Sequence, residues 1–336
     1  MIKVGIIGCG FMGGMHAACY KALESHGVCV HAMADTRTEF AERLAVQYGA
    51  KVFSSAKELI ENDEIDVVDI CLPVDLHVSY AVAAMKAGKH VFIEKPVCFL
   101  EEEMKLLLET ERECHVKTQV GQVLRHWREY VWLKDLVDSG EYGRVLWGHF
   151  KRLSAKPTWA GDGWVHQVKR SGGVAVEMHV HDVDYVRYLL GDPDYVQSQA
   201  ARDEYGVIQH ITSLYRYGED VSIVVEAGWD FPQTFPFTAE FRVKLERATV
   251  ILENGVLSVY PNTGVAFSPD LPETYTVEND TGGNITILDG YYNELKYFVE
   301  GLHEQNDLSI ASIHEAIASV KLALREIKAA GGLIIG

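Results

Sequence analysis

The sequence predicts an α/β domain with a doubly wound parallel sheet, followed by an α+β domain with a large, open, mostly antiparallel sheet. Over the first 120 residues or so, short apolar runs alternate with helical segments, which favours a parallel sheet. Beyond that point, long strands of alternating polarity follow one another, which favours an antiparallel sheet. We therefore expect two domains, residues 1–121 and residues 122–336.

The first domain is predicted from five apolar runs, each followed by a helical segment or a polar turn. The runs are IKVGII, VCVHAMAD, IDVVDICLP, HVFIEKP and VKTQVGQ. A continuous run such as IDVVDICLP is typical of a strand buried on both faces. The helix after the second run is expected to stop at Gly49, and Ser55 with Glu58 predicts a capping box for the helix that follows.

The second domain is predicted to begin with a helix over residues 127–138. Long strands follow in RVLWGHFKRL, HITSLYRY, VSIVVEAGW, AEFRVKLE and ATVILENGVLSVY. Asn254-Gly255 between two apolar runs predicts a hairpin, and residues 268–284 are interpreted as a strand and a polar loop. Helices around 175–190 and 289–330 are expected to cover one face of the sheet. The other face is expected to be apolar and to pack against another subunit, which predicts a homodimer or homotetramer.

The composition excludes several classes of function. The chain of 336 residues is 48% hydrophobic and 24% charged, with a net charge of −17. An acidic surface argues against binding to nucleic acid or to anionic membranes. No apolar run approaches the length of a membrane helix, and the N-terminus does not resemble a signal peptide. The six cysteines form no CxxC pair, so we expect reduced thiols in a cytoplasmic protein.

A GxGxxG motif predicts the binding site of a dinucleotide. Gly8, Gly10 and Gly13 directly follow the first strand, and Asp35 ends the second strand. The first glycine permits the tight turn, the second lets the backbone approach a pyrophosphate, and the third lets the helix pack closely. Asp35 would accept hydrogen bonds from ribose hydroxyls, which predicts NAD. Arg37 keeps NADP as an alternative, because an arginine at this place can hold a 2′-phosphate.

Further polar residues lie where they can carry chemistry. Lys95 ends a buried strand, where ligands of open α/β sheets bind, and His77 begins a helix at the same edge. The stretch GGVAVEMHVHDVDY holds Glu177, His179 and His181 at spacings of two. As a strand it would place all three on one face and suit a metal. As a helix it would pair Glu177 with His181 and point His179 elsewhere. The spacing alone does not decide between the two.

At this point the chain resembles the Gfo/Idh/MocA dehydrogenases, which include glucose–fructose oxidoreductase and the inositol dehydrogenases. The matching stretches are GIIGCGFMG, LPVDLH, EKP, GQVLRHW, SGGVAVEMHVHDVDYVRYLLGDP and YYNELKYFVEGL, together with Asp35. The resemblance implies a Rossmann domain, a substrate domain that also mediates oligomers, and NAD(P)-dependent oxidation or reduction of a sugar, polyol or related compound.

The resemblance also implies roles for residues of this chain. Lys95 and His181 match the family's catalytic pair, and Glu177 stands four residues before the histidine, where Asp is usual. The segment is then helical, and no metal site is expected. We further assign Glu177, Trp164 and His179 to substrate binding. The residues that we assign to the cofactor are Gly8, Gly10, Phe11, Met12, Gly13, Asp35, Arg37, Leu72, Pro73, His77, Glu94, Lys95 and Arg125.

These assignments predict a mechanism and leave two alternatives. His181 takes the proton of a substrate hydroxyl while Lys95 hydrogen-bonds the same oxygen, or the two exchange roles. Of the aromatic residues upstream, one of Trp159 and Trp164 is expected to face a sugar ring, with Asp162 and His166 nearby. Transient oxidation followed by elimination would instead cleave a glycoside without net redox change. A non-catalytic NAD-binding sensor is the third hypothesis. The exact substrate stays open.

Overall fold

The computed structural model describes residues 1–158, 163–273 and 288–332. The chain divides into two compact units. The first contains Met1–His126 and, of the C-terminal part, the described residues up to Ile317; the second contains Trp127–Glu273 and the described residues from Ala318 onwards. The C-terminal part of the predicted second domain is therefore shared between the two units, which sequence patterning did not indicate.

A six-stranded parallel sheet forms the centre of the first unit, in the order β3-β2-β1-β4-β5-β6. Its strands are β1 Ile2–Ile7, β2 Val28–Ala34, β3 Lys51–Val52, β4 Val67–Ile70, β5 His90–Ile93 and β6 Thr118–Val120. The order reverses beside β1, because the chain first moves to one side of β1 and then returns to the other. Such a switch point opens a crevice at the carboxyl ends of the central strands. The prediction of a doubly wound parallel sheet is confirmed.

Helices pack on this sheet between its strands. They are α1 Phe11–Ala22, α2 Thr38–Tyr48, α3 Ala56–Ile60, α4 Val74–Lys86 and α5 Glu101–Cys114, joined from the C-terminal part by α10 Asp289–Glu304. Helix α2 ends at Gly49 with φ +66°, as predicted. Ser55 accepts a hydrogen bond from the Glu58 N–H at 3.2 Å, as the first half of a capping box requires. The Glu58 carboxylate instead accepts a hydrogen bond from the Ser54 hydroxyl at 2.7 Å.

The second unit contains a seven-stranded sheet in the order β13-β12-β11-β7-β10-β9-β8. Its strands are β7 Val145–Ala155, β8 Tyr195–Arg202, β9 Ile208–Tyr217, β10 Val221–Phe231, β11 Thr238–Leu245, β12 Ala248–Glu253 and β13 Val256–Pro261. All neighbours are antiparallel except β7 and β10, which are parallel. Asn254 and Gly255 turn between β12 and β13 with φ of 51° and 75°, so the predicted hairpin is confirmed.

Helices of the second unit are α6 Arg128–Ser139, α7 Val168–Ser171, α8 Val174–Glu177 and α9 Val180–Leu190; α11 Ile313–Ala329 begins in the first unit and continues into the second. An aromatic cluster joins α6 and α9 to the sheet, because the Tyr130 ring lies 4.7 Å from Tyr185 and 5.2 Å from Phe241. Buried aromatic pairs of this kind stabilise beyond the area they bury.

The opposite face of this sheet is more polar than the sequence predicted. Its half-buried side chains include an ion-paired row in which the Glu226 carboxylate lies 3.0 Å from both His149 and His210. Lys151 pairs with Glu240 at 2.8 Å on the same face. In the described part of the chain, none of the helices combines the length and the apolar character that a membrane span needs.

Candidate active site

The glycine turn after β1 has the geometry that a dinucleotide site needs. Gly8 has a φ of +93°, and a Cβ there would lie 2.3 Å from the Cys71 carbonyl oxygen. A Cβ at Gly13 would lie 1.9 Å from the Gly8 carbonyl oxygen, so α1 packs directly on the turn. By contrast, a Cβ at Gly10 would meet no atom of the described residues within 4 Å. The open space over Gly10, at the N-terminus of α1, fits a phosphate-binding cradle.

Phe11 and Met12 form the first turn of α1, where helical N–H groups have no earlier carbonyl of the helix to bond. The end of β2 supplies a carboxylate beside this turn. Asp35 accepts hydrogen bonds from the N–H groups of Cys9 and Arg37, both at 2.8 Å. The Arg37 guanidinium lies over the Phe40 ring at 4.0 Å and 3.9 Å from Asp35. Asp35 is thus fixed by the backbone, while Arg37 is drawn towards it.

The carboxyl ends of β4 and β5 are joined by a histidine. The His77 ring is buried, with Nδ1 2.9 Å from the Pro96 carbonyl oxygen and Nε2 2.7 Å from that of Leu72. Burial lowers the pKa of His77. The ring therefore links the segment Leu72–Pro73 to the segment Lys95–Pro96. The Lys95–Pro96 peptide is cis.

Glu94 and Arg125 have buried side chains with partners in the first unit. Glu94 accepts a hydrogen bond from the Lys95 N–H at 3.0 Å, and its other oxygen lies 3.0 Å from His16. Arg125 follows β6 in a 3₁₀ turn, and its guanidinium donates to the Ile310 carbonyl and lies 3.6 Å from Glu315. Both side chains therefore have structural partners in addition to the cofactor roles that we predicted for them.

The stretch that contains Glu177, His179 and His181 is helical, as the resemblance implied, but it is divided between α8 and α9. His179 is fully buried, and its Nε2 lies 3.1 Å from the Glu326 carboxylate. Glu326 also accepts the Tyr215 hydroxyl at 2.7 Å. His179 thus has a partner inside the second unit, and its contact with substrate stays a prediction.

The two other acids of this stretch are also held inside the second unit. The Asp182 carboxylate accepts two hydrogen bonds from the Arg152 guanidinium, at 2.7 Å and 3.3 Å, and both side chains are buried. Asp184 accepts the Ser319 hydroxyl at 2.7 Å. His181 is half-buried, whereas Glu177 is only 7% exposed. Helix α9 is therefore fixed on both sides of His181 by buried polar contacts.

Trp164 is half-buried in a 3₁₀ turn, and the neighbouring His166 bonds the Pro157 carbonyl at 2.7 Å. Trp159 and Asp162 lie outside the described residues, as does most of the stretch 268–284. The structure therefore adds no geometry for the choice between Trp159 and Trp164.

Sequence reasoning missed a buried polar cluster in the first unit. His16, Asp69, Cys71, Glu94 and Glu294 lie together, and their ligand atoms form the two groups of possible metal ligands among the described residues. Neither group includes Glu177, His179 or His181. A signal was present in the sequence, because Asp69 interrupts the apolar run VVDIC of a buried strand.

Comparisons with known proteins agree with this geometry. The sequence model of the oxidoreductase family Gfo/Idh/MocA, described as an NAD-binding Rossmann fold, matches residues 2–122. The C-terminal domain of the same family matches residues 130–258. The myo-inositol 2-dehydrogenase of Thermotoga maritima is 26% identical over 316 residues, or 90% of this chain and 88% of that protein. The scyllo-inositol 2-dehydrogenase (NAD⁺) of Bacillus subtilis is 31% identical over 195 residues, or 56% of this chain and 54% of that protein.

For several curated relatives the matched part spans about half of their length, for example 51% of an uncharacterized oxidoreductase of Streptococcus pneumoniae. A solved levoglucosan dehydrogenase with NADH and levoglucosan has a TM-score of 0.84 at 20% identity and covers 98% of this chain and 97% of its own. An oxidoreductase of Agrobacterium radiobacter with NAD⁺, L-tartaric acid and magnesium has a TM-score of 0.84 at 17% identity, over 98% of this chain and 96% of its own. These structures show the fold alone. Since the two family models match both parts of the chain, the resemblance is confirmed, and the chain belongs to the Gfo/Idh/MocA family of oxidoreductases with an NAD-binding Rossmann domain.

Proposed function

We propose that the protein is an NAD-dependent dehydrogenase that acts on a CH–OH group of a cyclitol, sugar or related polyol. The observation that carries the proposal is the open cradle over Gly10, with the fixed Asp35 carboxylate beside it, in a chain of this family. Relatives named myo-inositol 2-dehydrogenase and levoglucosan dehydrogenase support a polyhydroxylated substrate.

In the proposed mechanism, Lys95 and His181 are the catalytic residues. His181 takes the proton from the substrate hydroxyl, because a neutral imidazole is a suitable base near neutral pH. Lys95 donates a hydrogen bond to the same oxygen and stabilises the negative charge that develops there. The bound nicotinamide supplies the hydride acceptor. The opposite assignment, with Lys95 as base, uses the same two residues, and Glu177 and Trp164 are proposed to contact substrate.

The proposed cofactor is NAD rather than NADP. Asp35 is held by two backbone N–H groups, so its carboxylate has a fixed place beside the glycine turn. A fixed negative charge favours ribose hydroxyls and disfavours a 2′-phosphate. Arg37 is the residue that would favour NADP, and its guanidinium lies near the Asp35 carboxylate and the Phe40 ring, 3.9 Å from the first and 4.0 Å from the centre of the second.

A panel assay tests the proposal. Purified protein is incubated with NAD, then with NADP, and with cyclitols, aldoses, anhydrosugars and glycosides, while NADH absorbance and released aglycone are followed. We expect NADH formation with at least one cyclitol or sugar, and a loss of about 10²-fold or more in kcat for Lys95→Met and for His181→Asn. The matched controls are Lys86→Met, an exposed lysine, and His314→Asn, whose side chain is 74% exposed.

Other results would contradict the proposal. Aglycone release without NADH accumulation would favour the glycoside-cleaving hypothesis. Tight NAD binding with no turnover across the panel would favour a sensor. If both control variants lose as much activity as the two catalytic variants, the assigned pair is wrong.

We also infer that the protein forms a homodimer or homotetramer in the cytoplasm. The partly exposed face of the second unit's sheet carries large apolar side chains beside its ion pairs, including Tyr195 and Tyr260, which are 47% and 48% exposed. The six cysteines, all within residues 1–158, form no disulfide, which fits a reducing compartment. Light scattering coupled to gel filtration tests the oligomer, and a monomer at micromolar concentration would contradict it.

A further inference from the structure

The strongest unassigned feature of the molecule is a buried polar cluster beside the glycine turn, which we call the His16 cluster. It consists of His16 on α1, Asp69 on β4, Glu94 after β5 and Glu294 on α10. His16, Asp69 and Glu294 are fully buried, and Glu94 is 4% exposed. Buried acids are costly unless they are neutral or paired, so three of them gathered around one histidine need a physical explanation.

His16 bridges two of these acids with its two ring nitrogens. Nδ1 lies 2.9 Å from an Asp69 oxygen, and Nε2 lies 3.0 Å from a Glu94 oxygen. A neutral imidazole carries one N–H, so its second nitrogen would direct a lone pair at a carboxylate. Only an imidazolium donates to both acids. With both acids ionised, the geometry therefore fits a positively charged ring between them.

The surroundings of the ring agree with that charge. Burial alone would lower the pKa of His16, but the Asp69 carboxylate beside it raises this pKa well above its usual value. The titratable groups that face the ring from the neighbouring elements are Cys19, Tyr20, Asp69, Cys71, Glu94 and Glu294. Burial and the charge of Glu94 raise the pKa of Glu294 well above its usual value.

Glu94 connects the imidazolium to Lys95. One Glu94 oxygen accepts from His16, and the other accepts the Lys95 N–H at 3.0 Å. A Cβ at Gly121 would lie only 3.0 Å from the oxygen that faces His16, so the carboxylate is also packed against the β6 end of the sheet. The Glu94 carboxylate is thereby held in one orientation on three sides.

We propose that His16 is a positioning residue. As an imidazolium, the His16 ring holds the Glu94 carboxylate and, through Glu94, fixes the peptide from which Lys95 projects. The inference about Lys95 rests on the proposed function, because it takes Lys95 as a catalytic residue. His16 itself is buried and acts only through Glu94. Removing its charge would loosen the Lys95 peptide, and this would lower the rate of the chemical step more than the affinity for NAD.

A first experiment tests the charge of His16 without using activity. Nitrogen-15 NMR of ring-labelled histidine distinguishes an imidazolium from a neutral ring, and a His16→Asn spectrum assigns the signal. We expect one ring that stays imidazolium from pH 6 to pH 9. A neutral ring would overturn the proposal. So would a stoichiometric metal in the purified protein, because His16, Glu94 and Glu294 offer ligand atoms within 4.8 Å of one another.

A second experiment tests the link to Lys95. We expect His16→Asn to lower kcat by about 10-fold to 100-fold, with NAD affinity within about threefold of the native value. In a Lys95→Met background the same change should cause no further loss, since the residue acts through Lys95. The matched control is His90→Asn, at the opposite end of β5, which should keep the native kcat.

Independent losses in the double variant, or a loss confined to NAD affinity, would overturn the positioning role. Asp69→Asn is the second variant if His16→Asn does not fold, because it keeps the shape of the side chain while removing its charge. In Asp69→Asn the His16 ring should lose its proton between pH 6 and pH 9, and kcat should fall as it does in His16→Asn. If Lys95→Met is fully active, the proposed function fails, whereas the NMR result still decides the state of His16.

Discussion

Replacing Gly13 with alanine tests the close packing between α1 and the glycine turn. The new Cβ would lie 1.9 Å from the Gly8 carbonyl oxygen and 3.0 Å from its carbon. Since non-bonded contacts of this kind are close to 3 Å or longer, α1 or the turn must move by about 1 Å. Overpacking of a well-packed site costs about 1–3 kcal/mol. We therefore expect Gly13→Ala to destabilise the protein without cofactor and to lower its melting temperature by about 2 °C or more per kcal/mol.

Replacing Gly10 with alanine should act in the opposite way. Gly10 has a φ of −79°, which is outside the left-handed region that favours glycine, and the added Cβ meets no described atom within 4 Å. The stability without cofactor should therefore stay within about 0.5 kcal/mol of the native value. The methyl group would occupy the space through which a pyrophosphate approaches the backbone. We expect NAD affinity to fall at least about tenfold, which corresponds to about 1.4 kcal/mol.

Thermal unfolding with and without NAD, together with calorimetric titration, measures both effects. The expected pattern is a separation: Gly13→Ala changes the melting temperature of the apoprotein, while Gly10→Ala changes only the stabilisation that NAD gives. Native stability of Gly13→Ala would refute the close contact with Gly8. Native NAD affinity of Gly10→Ala would refute the cradle.

Three further substitutions test other parts of the molecule. Asp35→Ser should weaken NAD binding about tenfold and should reduce the ratio of the affinity for NAD to the affinity for NADP, both measured by titration. An unchanged ratio would contradict the role of the carboxylate. His179→Asn should lower the free energy of unfolding in urea by about 1–3 kcal/mol, because the buried Glu326 carboxylate loses one of its two partners and keeps only Tyr215, while the substrate KM changes little. Hydrogen bonds to Glu226 raise the pKa of His210. The stability that they give to the folded protein is therefore fully present below the pKa of this histidine in the unfolded chain, and it is lost as pH rises through its pKa in the folded protein. Glu226→Gln should therefore lower the free energy of unfolding of the protein by about 1 kcal/mol at pH 6 and by less at pH 9. An equal loss of stability at both pH values would refute this role of Glu226.

Much of the fold could be predicted because its signals are local. Alternation of apolar runs with helical segments, the Asn254-Gly255 turn and the end of α2 at Gly49 each depend on a few neighbouring residues. The parallel pairing of β7 with β10 could not be predicted, because these strands are distant in sequence and have the same alternation as antiparallel strands. The division of the C-terminal part between the units has no local signal either.

The candidate site, like the fold, has a part that could be predicted from local sequence and a part that could not. The glycine turn is a local motif, and its geometry follows from the backbone positions of three residues. The His16 cluster depends on contacts over 53 residues, from His16 to Asp69, and over 78 residues, from His16 to Glu94. A histidine in helix α1 carries no sign of the acids that the topology will bring to it. Only the aspartate inside the buried strand β4 was visible as an exception to the apolar pattern.

The histidines of the stretch after Gly173 show why residue type and spacing are not enough to assign a role. His179 and His181 differ by two positions, so a strand would place them on one face and a helix would separate them. The structure places a break between α8 and α9 at Met178 and His179, and the His179 N–H bonds back to the Val174 carbonyl at 2.9 Å. This break turns His179 into the core against Glu326, whereas His181 lies in the first turn of α9 and is half-buried. A buried histidine with an acid partner supports the fold, and a half-buried one at a helix start is accessible to a substrate proton. The assignment of His181 as the catalytic histidine stays a prediction, and the difference in burial between His181 and His179 is a fact that the sequence could not show.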